Sequence, residues 1–181
     1  MTTKSRTLRV CWLFLALSIA IVACNFGFNS SHLNDANLIR NFEQHEQEFN
    51  RLIQMAKEDS HVVRIAYDFT WLDTNYHWPR PDSEIGITKD RWDQYRQMFL
   101  RLGLKEGLSW TSDGSLILIT SAKGLMTDGS AKGYIFSTKP LSPTFDSLDH
   151  MGEEIKSGKI QPGLPVYRKI KENWYLYYEG D

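Results

Sequence analysis

Residues 108–120 read Leu-Ser-Trp-Thr-Ser-Asp-Gly-Ser-Leu-Ile-Leu-Ile-Thr, and this stretch decides the fold class. Its centre, Ser112-Asp113-Gly114, has the composition of a β-hairpin turn, and the runs on either side suit strands. Residues 116–119 are apolar at every position, which is typical of a strand that is covered on both faces. The stretch therefore predicts an antiparallel strand pair near the centre of a sheet.

The residues that follow predict further strands. Asp128-Gly129 marks a turn before a strand over 133–138, and the strands 166–170 and 174–179 flank a turn at 171–173. In the last strand Trp174, Leu176 and Tyr178 alternate with Tyr175 and Tyr177, so the two sets face opposite sides of the sheet.

Residues 139–165 contain four prolines and predict an extended excursion over the surface. Tyr175 and Tyr177 allow two interpretations. They lie on an exposed edge strand that could pair with a partner's strand, or the proline-rich excursion covers them. We favour the covered strand.

The residues that precede the hairpin predict two helices and a strand. The first helix begins at Asn34 or Asp35 and ends near Glu58 or Asp59. Its apolar stripe recurs at spacings of three and four residues; the stripe consists of Leu38, Phe42, His45, Phe49, Leu52 and Ala56. We interpret the histidine in this stripe as a residue at the edge of the core rather than a ligand.

A strand is predicted over residues 61–69, where apolar and polar residues alternate. The second helix follows Thr88, which can cap its first turn, and ends at Gly103 in the left-handed conformation. The order of elements predicts an α+β fold, with an antiparallel sheet of about five strands and two helices packed on one face. A strongly curved half-barrel with the same topology is the alternative.

The first 24 residues have a different character. Lys4, Arg6 and Arg9 precede an apolar run over residues 10–22, and Ala23-Cys24 follows it. A membrane-spanning helix needs about 20 apolar residues. This run is shorter, and a basic head before a short apolar run is typical of a secretory signal peptide.

The small residue followed by Cys24 resembles the lipobox of bacterial lipoproteins, a resemblance that covers residues 1–24 only. It implies that Cys24 receives a diacylglyceryl group and becomes the new N-terminus. The protein would then be exported and held by lipid, at the periplasmic or outer face of the cell membrane or at the outer membrane. The alternatives are an uncleaved signal anchor, or an ordinary signal peptide with a cysteine at this position by chance.

On this interpretation residues 1–23 are the signal peptide, residues 24–33 are the lipidated cysteine and a tether, and residues 34–181 form a single α+β domain. Residues 24–181 hold 18 basic and 22 acidic residues, a net charge of −4. This charge argues against nucleic acid as a partner. Cys11 would leave with the signal peptide, so the fold would have no disulfide.

Motifs of catalysis are absent from the sequence, which contains no zinc-protease helix, nucleophile elbow, phosphate loop or dinucleotide fingerprint. The five histidines are scattered, so the spacing suggests no metal site. We therefore expect no cofactor, and we incline towards a protein that is not an enzyme.

Residues 70–87 join the predicted strand to the second helix, and they form the candidate ligand or partner surface. The candidate residues in this segment combine large aromatic side chains with polar ones; they are Trp71, Asp73, Tyr76, Trp78 and Arg80. Aromatic side chains with a polar tip are enriched at binding surfaces. The alternative, which the sequence favours, is that the aromatic residues fold under the loop and cover one end of the core.

Three functions remain open at this point. The first is an acylated, non-enzymatic module that binds an envelope protein or a glycan. The second is a hydrolase of an envelope polymer, whose acid and base would come from Asp68, Asp73, Asp82 and Glu84. The third is a scaffold that holds a complex near the membrane. The sequence favours the binding module, then the scaffold, then the hydrolase.

Overall fold

The computed structural model describes residues 32–72, 86–124 and 129–181, which contain three helices and seven strands. The helices are α1 (Asp35–Glu58), α2 (Lys89–Leu102) and α3 (Met151–Lys156). The strands are β1 (Arg64–Ile65), β2 (Thr70–Trp71), β3 (Gly107–Trp110), β4 (Leu116–Lys123), β5 (Ser130–Phe136), β6 (Val166–Lys171) and β7 (Trp174–Gly180).

All seven strands form one sheet in the order β2-β1-β3-β4-β5-β7-β6, and every neighbouring pair is antiparallel. The α+β class and the antiparallel sheet are confirmed. The sheet has two more strands than the five expected, and there is one more helix than the two expected. In the described part of the chain, β2 and β6 form the edges of the sheet.

The helices share one face of the sheet. Their buried residues form a single apolar cluster with the inward side chains of the strands, among them Leu118, Tyr134 and Leu176. Aromatic rings fill the centre of this cluster, where the ring centroids of Phe49 and Tyr134 lie 4.7 Å apart. This face is therefore the main hydrophobic core.

The opposite face carries a second, smaller apolar cluster of Ile135, Tyr167, Tyr175 and Tyr177, with Leu141 packed against it. Tyr175 and Tyr177 are each only 4% exposed. Because β7 lies between β5 and β6, these tyrosines do not lie on an edge strand, and that alternative is wrong. The proline-rich segment contacts this face, where a bridge joins Thr144 to Tyr167.

The first two helices begin and end where their capping residues predict. The side chain of Asn34 accepts a hydrogen bond from the Asn37 N–H, which starts α1. Thr88 accepts one from the Arg91 N–H at the start of α2. Gly103 ends α2 with φ +69°, the left-handed conformation that glycine adopts without strain.

The long strand predicted over residues 61–69 is wrong. The chain instead turns back between β1 and β2, and the Ala66 N–H donates to the Phe69 carbonyl. The purely extended excursion over residues 139–165 is also wrong, because it contains α3. Met151 and Ile155 of that helix are buried in the main core.

The two ends of the central strands are named here by the residues that lie side by side at each of them. The entry end is the end at which Lys123, Ser130 and Gly180 lie side by side. The turn end is the end at which Leu116, Phe136 and Trp174 lie side by side, next to the turn at residues 112–114. At about 3.3 Å per residue, β4 separates the two ends by about 23 Å.

Candidate functional site

His32 fixes the beginning of the described chain to the entry end. Its Nδ1 lies 2.6 Å from the Ser121 hydroxyl and its Nε2 lies 2.8 Å from the Ser130 hydroxyl. The ring also contacts Tyr178 edge-on, with the centroids 5.6 Å apart. Both ring nitrogens and one ring edge are therefore engaged, and the chain is attached to the sheet before α1 begins.

A β-bulge explains how Ser121 comes to face His32. The pairing of β4 with β5 shifts between Ile119 and Ser121, so that Ser121 pairs with Lys132. A bulge of this kind changes the direction of the side chains that follow it. At the bulge the backbones of β4 and β5 lie very close together. Gly133 of β5 permits this, since a Cβ atom there would lie 2.1 Å from the Leu118 carbonyl oxygen of β4.

The surroundings of His32 favour its neutral form. Burial disfavours the imidazolium, and the positive charges of Lys123 and Lys132 disfavour it further, so the pKa of His32 falls to about 4. At neutral pH the ring is uncharged and has one donor and one acceptor nitrogen. The two serine hydroxyls can complement either tautomer.

A buried cluster of charges lies beside His32. Asp35, at the start of α1, and Lys132, in β5, are each only 1% exposed. The Lys132 Nζ lies 2.7 Å from one Asp35 oxygen and 2.8 Å from an oxygen of Asp149. Arg168 of β6 lies 2.8 Å from the other Asp35 oxygen. The cluster therefore joins α1, β5, β6 and the segment before α3.

Backbone groups complete this cluster. The Leu148 N–H donates to Asp35 over 2.8 Å, and the Asp35 N–H donates to Asp149 over the same distance. Burial on its own would raise the pKa of Asp35. The hydrogen bonds from Lys132, Leu148 and Arg168 outweigh that effect, so the pKa of Asp35 lies below its ordinary value.

This cluster has a structural role: its ion pairs hold the start of α1 against the sheet, and we call it the clamp. Asp35 stays ionised, and each of its oxygens has a cationic partner. A carboxylate held in this way is a poor general base, because its low pKa makes it a weak proton acceptor at neutral pH. The cluster therefore fixes the position of α1 rather than moving a proton.

The predicted binding segment is described only at its two ends. Trp71 is half-buried in β2, where its ring centroid lies 4.5 Å from that of Phe69 and 5.6 Å from the Arg64 guanidinium carbon. This contact matches the interpretation in which an aromatic residue of the segment packs on the fold. Asp73, Tyr76, Trp78 and Arg80 lie outside the described residues.

Leu72 and Gly86, the described residues on either side of residues 73–85, lie next to each other. A Cβ atom on Gly86 would lie 2.3 Å from the Leu72 side chain, so the two flanking residues are in contact. His61 hydrogen-bonds the Gly86 carbonyl over 2.6 Å. Leu72 follows Trp71, which pairs with Arg64 beside Ser109 of β3, so this point lies towards the turn end.

Acidic residues next to this point are paired with cations. Arg91 lies 2.7 Å from an oxygen of Asp59 and 2.7 Å from an oxygen of Glu58. Tyr95 donates to Asp59 over 2.8 Å, and burial, with this bond, raises the pKa of Tyr95. These residues join the end of α1 to the start of α2.

The proposed hydrolase needs two carboxylates in one cleft. Asp68 lies in the turn between β1 and β2, whereas Leu72 lies at the other end of that hairpin. Asp68 therefore does not lie at the place where the segment begins. Asp73, Asp82 and Glu84, the other carboxylates of that hypothesis, lie outside the described residues, as does Cys24.

Within residues 32–72, 86–124 and 129–181, no group of three or more His, Cys, Asp or Glu side chains is arranged to hold a metal ion. None of the helices described there combines the length and the apolar character needed to cross a bilayer.

Comparison with known proteins finds no matching family model, no similar curated protein and no similar solved structure.

The sequence prediction missed His32 and the charge cluster. One signal for Lys132 was available: it alternates with Tyr134 and Phe136, so it lies on the core-facing side of β5. A lysine in that position requires a buried acid. The identity of the acid was not readable, because Asp35 lies far from Lys132 in the sequence.

Proposed function

We propose that the chain is a membrane-anchored envelope lipoprotein, held by acyl chains on Cys24, whose folded part is a non-enzymatic interaction module. The resemblance of residues 1–24 to a lipoprotein signal peptide supports the anchor. The observation that carries the proposed arrangement is the contact between Leu72 and Gly86, which lies towards the end of the sheet opposite His32.

In this proposal the entry end of the sheet lies near the membrane, and the opposite end is available to a partner. Cys24 and His32 are eight residues apart, and a fully extended chain of that length spans at most about 29 Å. The entry end would therefore stay close to the membrane. The segment over residues 73–85 would start and finish on the side that points away from it, where a partner has access.

The proposed contact residues are Trp71, Asp73, Tyr76, Trp78 and Arg80. Tryptophan, tyrosine and arginine are the residue types that contribute most to binding energy at interfaces. A glycan ring or the surface of an envelope protein offers the apolar faces and polar groups that such a set binds. The half-buried Trp71 would support the segment, while Tyr76, Trp78 and Arg80 would make the contacts.

The anchor is tested by intact mass spectrometry of the native protein. We expect an N-terminal Cys24 that carries acyl chains, and a Cys24→Ser variant that is not processed and does not enter the membrane fraction by lipid. An unmodified thiol that is still joined to Ala23 would overturn the proposed anchor.

The contact surface is tested by binding to glycan and peptide arrays and by identification of proteins that co-purify after mild detergent extraction. We expect Trp78→Ala to weaken binding about 30-fold, as the loss of an interface hot spot of about 2 kcal/mol does. Lys156→Ala, at an exposed residue of α3 that belongs to neither end of the segment, is the control. Binding that is the same for wild type and Trp78→Ala would exclude this segment.

A further inference from the structure

The ring of His32 is the main attachment of the first described residues to the sheet. Its two nitrogens contact the hydroxyl groups of Ser121 and Ser130, which belong to the neighbouring strands β4 and β5. Within the described part of the chain, the backbone of residues 32 and 33 makes no hydrogen bond to the sheet. The side chain of Leu33 is 48% exposed. The position of these two residues therefore depends on the state of one imidazole ring.

The clamp holds the helix that follows, and it does so without this ring. Asp35, the first residue of α1, contacts Lys132 of β5 and Arg168 of β6, and the Leu148 N–H donates to it. No group of His32 takes part in these bonds. The ring can therefore leave its two serine partners while α1 keeps its place, so the attachment can open locally without unfolding of the core.

Charged and titratable groups surround His32 on every element packed against it; they are Lys123 of β4, Lys132 of β5, Tyr178 of β7, Asp35 of α1, Asp149 before α3 and Asp181 after β7. Lys132 lies directly opposite Ser121 in the sheet, and Lys123 lies directly opposite Ser130. Residues that are paired in this way point to the same side of a sheet. Two lysines therefore lie on the side of the sheet that the ring covers.

Protonation changes how well the ring fits this position. The neutral ring has one donor and one acceptor nitrogen, which two hydroxyl groups complement, whereas the imidazolium has two donors and a charge that water stabilises better. Burial, together with the charges of Lys123 and Lys132, lowers the pKa of the attached His32 to about 4. A detached ring in water has the ordinary pKa of 6.5. Acid therefore favours the detached ring over the attached one.

We propose that His32 is an acid-sensitive switch: protonation of its ring detaches residues 32 and 33 from β4 and β5, while the clamp keeps α1 on the sheet. The switch itself does not depend on the lipid anchor. One consequence does rest on the proposed function: if Cys24 is acylated, acid moves the first fixed residue from His32 to Asp35. The chain between the lipid and the fold then lengthens from eight to eleven residues, and its greatest span grows from about 29 to about 40 Å.

The switch is tested by NMR spectroscopy of the isotope-labelled, full-length protein during an acid titration. The nuclear Overhauser contact between the rings of His32 and Tyr178, whose centroids lie 5.6 Å apart, reports the attached state. The chemical shifts of the His32 ring report its protonation. Circular dichroism of the same samples reports whether the helices persist, so local detachment and global unfolding are measured separately.

We expect the ratio of attached to detached ring to fall about 25-fold between about pH 7.5 and about pH 5, because the detached ring binds the proton more tightly. The contact with Tyr178 should be lost by about pH 4, with the helical signal unchanged. His32→Gln keeps a donor and an acceptor but takes up no proton, so the amide signals of Ser121 and Ser130 should move with acid in the wild type and stay in place in this variant. Replacement of both serines by alanine should detach the ring at neutral pH and return its pKa towards 6.5.

A contact between His32 and Tyr178 that persists after the ring is protonated would overturn the switch, because the charged ring would then remain attached. Loss of the helical signal at the same pH would also overturn it, because the whole fold would then open rather than residues 32 and 33. So would a His32 that titrates at the same pH with and without the two serines. An unmodified Cys24 would remove only the lengthening of the chain at the lipid, and the switch would stand.

Discussion

Replacement of Lys132 by methionine is the most informative test of the charge cluster. The Lys132 side chain is 2% exposed and lies between the oxygens of Asp35 and Asp149. Methionine has a similar length and no charge, so the substitution removes the cation with little change in volume. Asp35 would then remain buried with Arg168 as its only cationic partner among the described contacts.

Removal of one partner from a buried ion pair destabilises a protein by about 3–5 kcal/mol, because the remaining charge has lost its compensation. With a urea dependence of roughly 2 kcal/mol per M, the midpoint of unfolding should fall by about 1.5–2.5 M. The measurement is urea unfolding of the protein, followed by tryptophan fluorescence and by circular dichroism to check for a single transition.

Lys156→Met is the control, because Lys156 is an exposed residue of α3. A surface substitution of this kind should change stability by less than about 0.5 kcal/mol. The double variant Lys132→Met with Asp35→Asn should lose less stability than the sum of the two single variants, since it removes both the cation and the charge that the cation neutralises. If Lys132→Met unfolds at the same urea concentration as Lys156→Met, the cluster does not hold the fold together as argued.

Three further predictions concern pH and packing. The lowered pKa of His32 means that the native state binds the proton of this histidine less tightly than the unfolded state does. Stability should therefore fall as the pH drops from 6.5 towards 4, by at most about 2 kcal/mol at pH 5. His32→Gln should flatten this part of the profile of stability against pH, and an unchanged profile would contradict the role given to His32. The lowered pKa of Asp35 means that its contribution is complete above the ordinary carboxyl value and is lost as the pH falls below about 4; Asp35→Asn should remove that contribution, as acid titration of the variant can show. Gly133→Ala should destabilise the fold by about 3 kcal/mol or more, because the new Cβ atom would lie 2.1 Å from a backbone oxygen. The control is Gly158→Ala, whose Cβ atom would meet no atom within 4 Å but whose φ is +73°, and it should destabilise the fold by only about 1 kcal/mol. Equal shifts of the melting temperature in the two variants would refute the packing argument.

The elements that local sequence patterns determine were predicted closely. The first helix has a polar cap at Asn34 and a stripe that includes Phe42 and Phe49, and both features depend only on residues within the helix. His45, which belongs to the same stripe, is an exception. Its backbone leaves the helical conformation, with φ −124°, and its side chain lies 36% exposed beside Glu48.

The elements that were missed depend on distant or short contacts. Alternation over residues 61–69 predicts a strand but does not show that the strand ends at Ile65, where the chain comes close to Gly107. A Cβ atom there would lie 2.1 Å from the Ile65 carbonyl oxygen. The helix α3 has six residues and two buried apolar side chains, too few for a periodic pattern to be recognised.

The candidate surfaces show the same limit. The aromatic and polar composition of residues 70–87 identified a segment, but only the contact of Leu72 with Gly86 shows that the described residues on its two sides meet. Likewise, a surface groove lined by Leu33 and Leu100 combines residues from α1, α2 and β4. No spacing along the chain could reveal that combination.

The clamp at Asp35 also sets an order of events in time. Its contacts with Leu148 and Arg168 join residues that are 113 and 133 positions apart, so the aspartate near the start of the domain is matched only after nearly the whole chain is present. A ribosome delivers the N-terminal part first, and long loops close slowly. The first helix therefore takes its final position only after the last hairpin is present, so the end of the chain decides when its beginning becomes fixed.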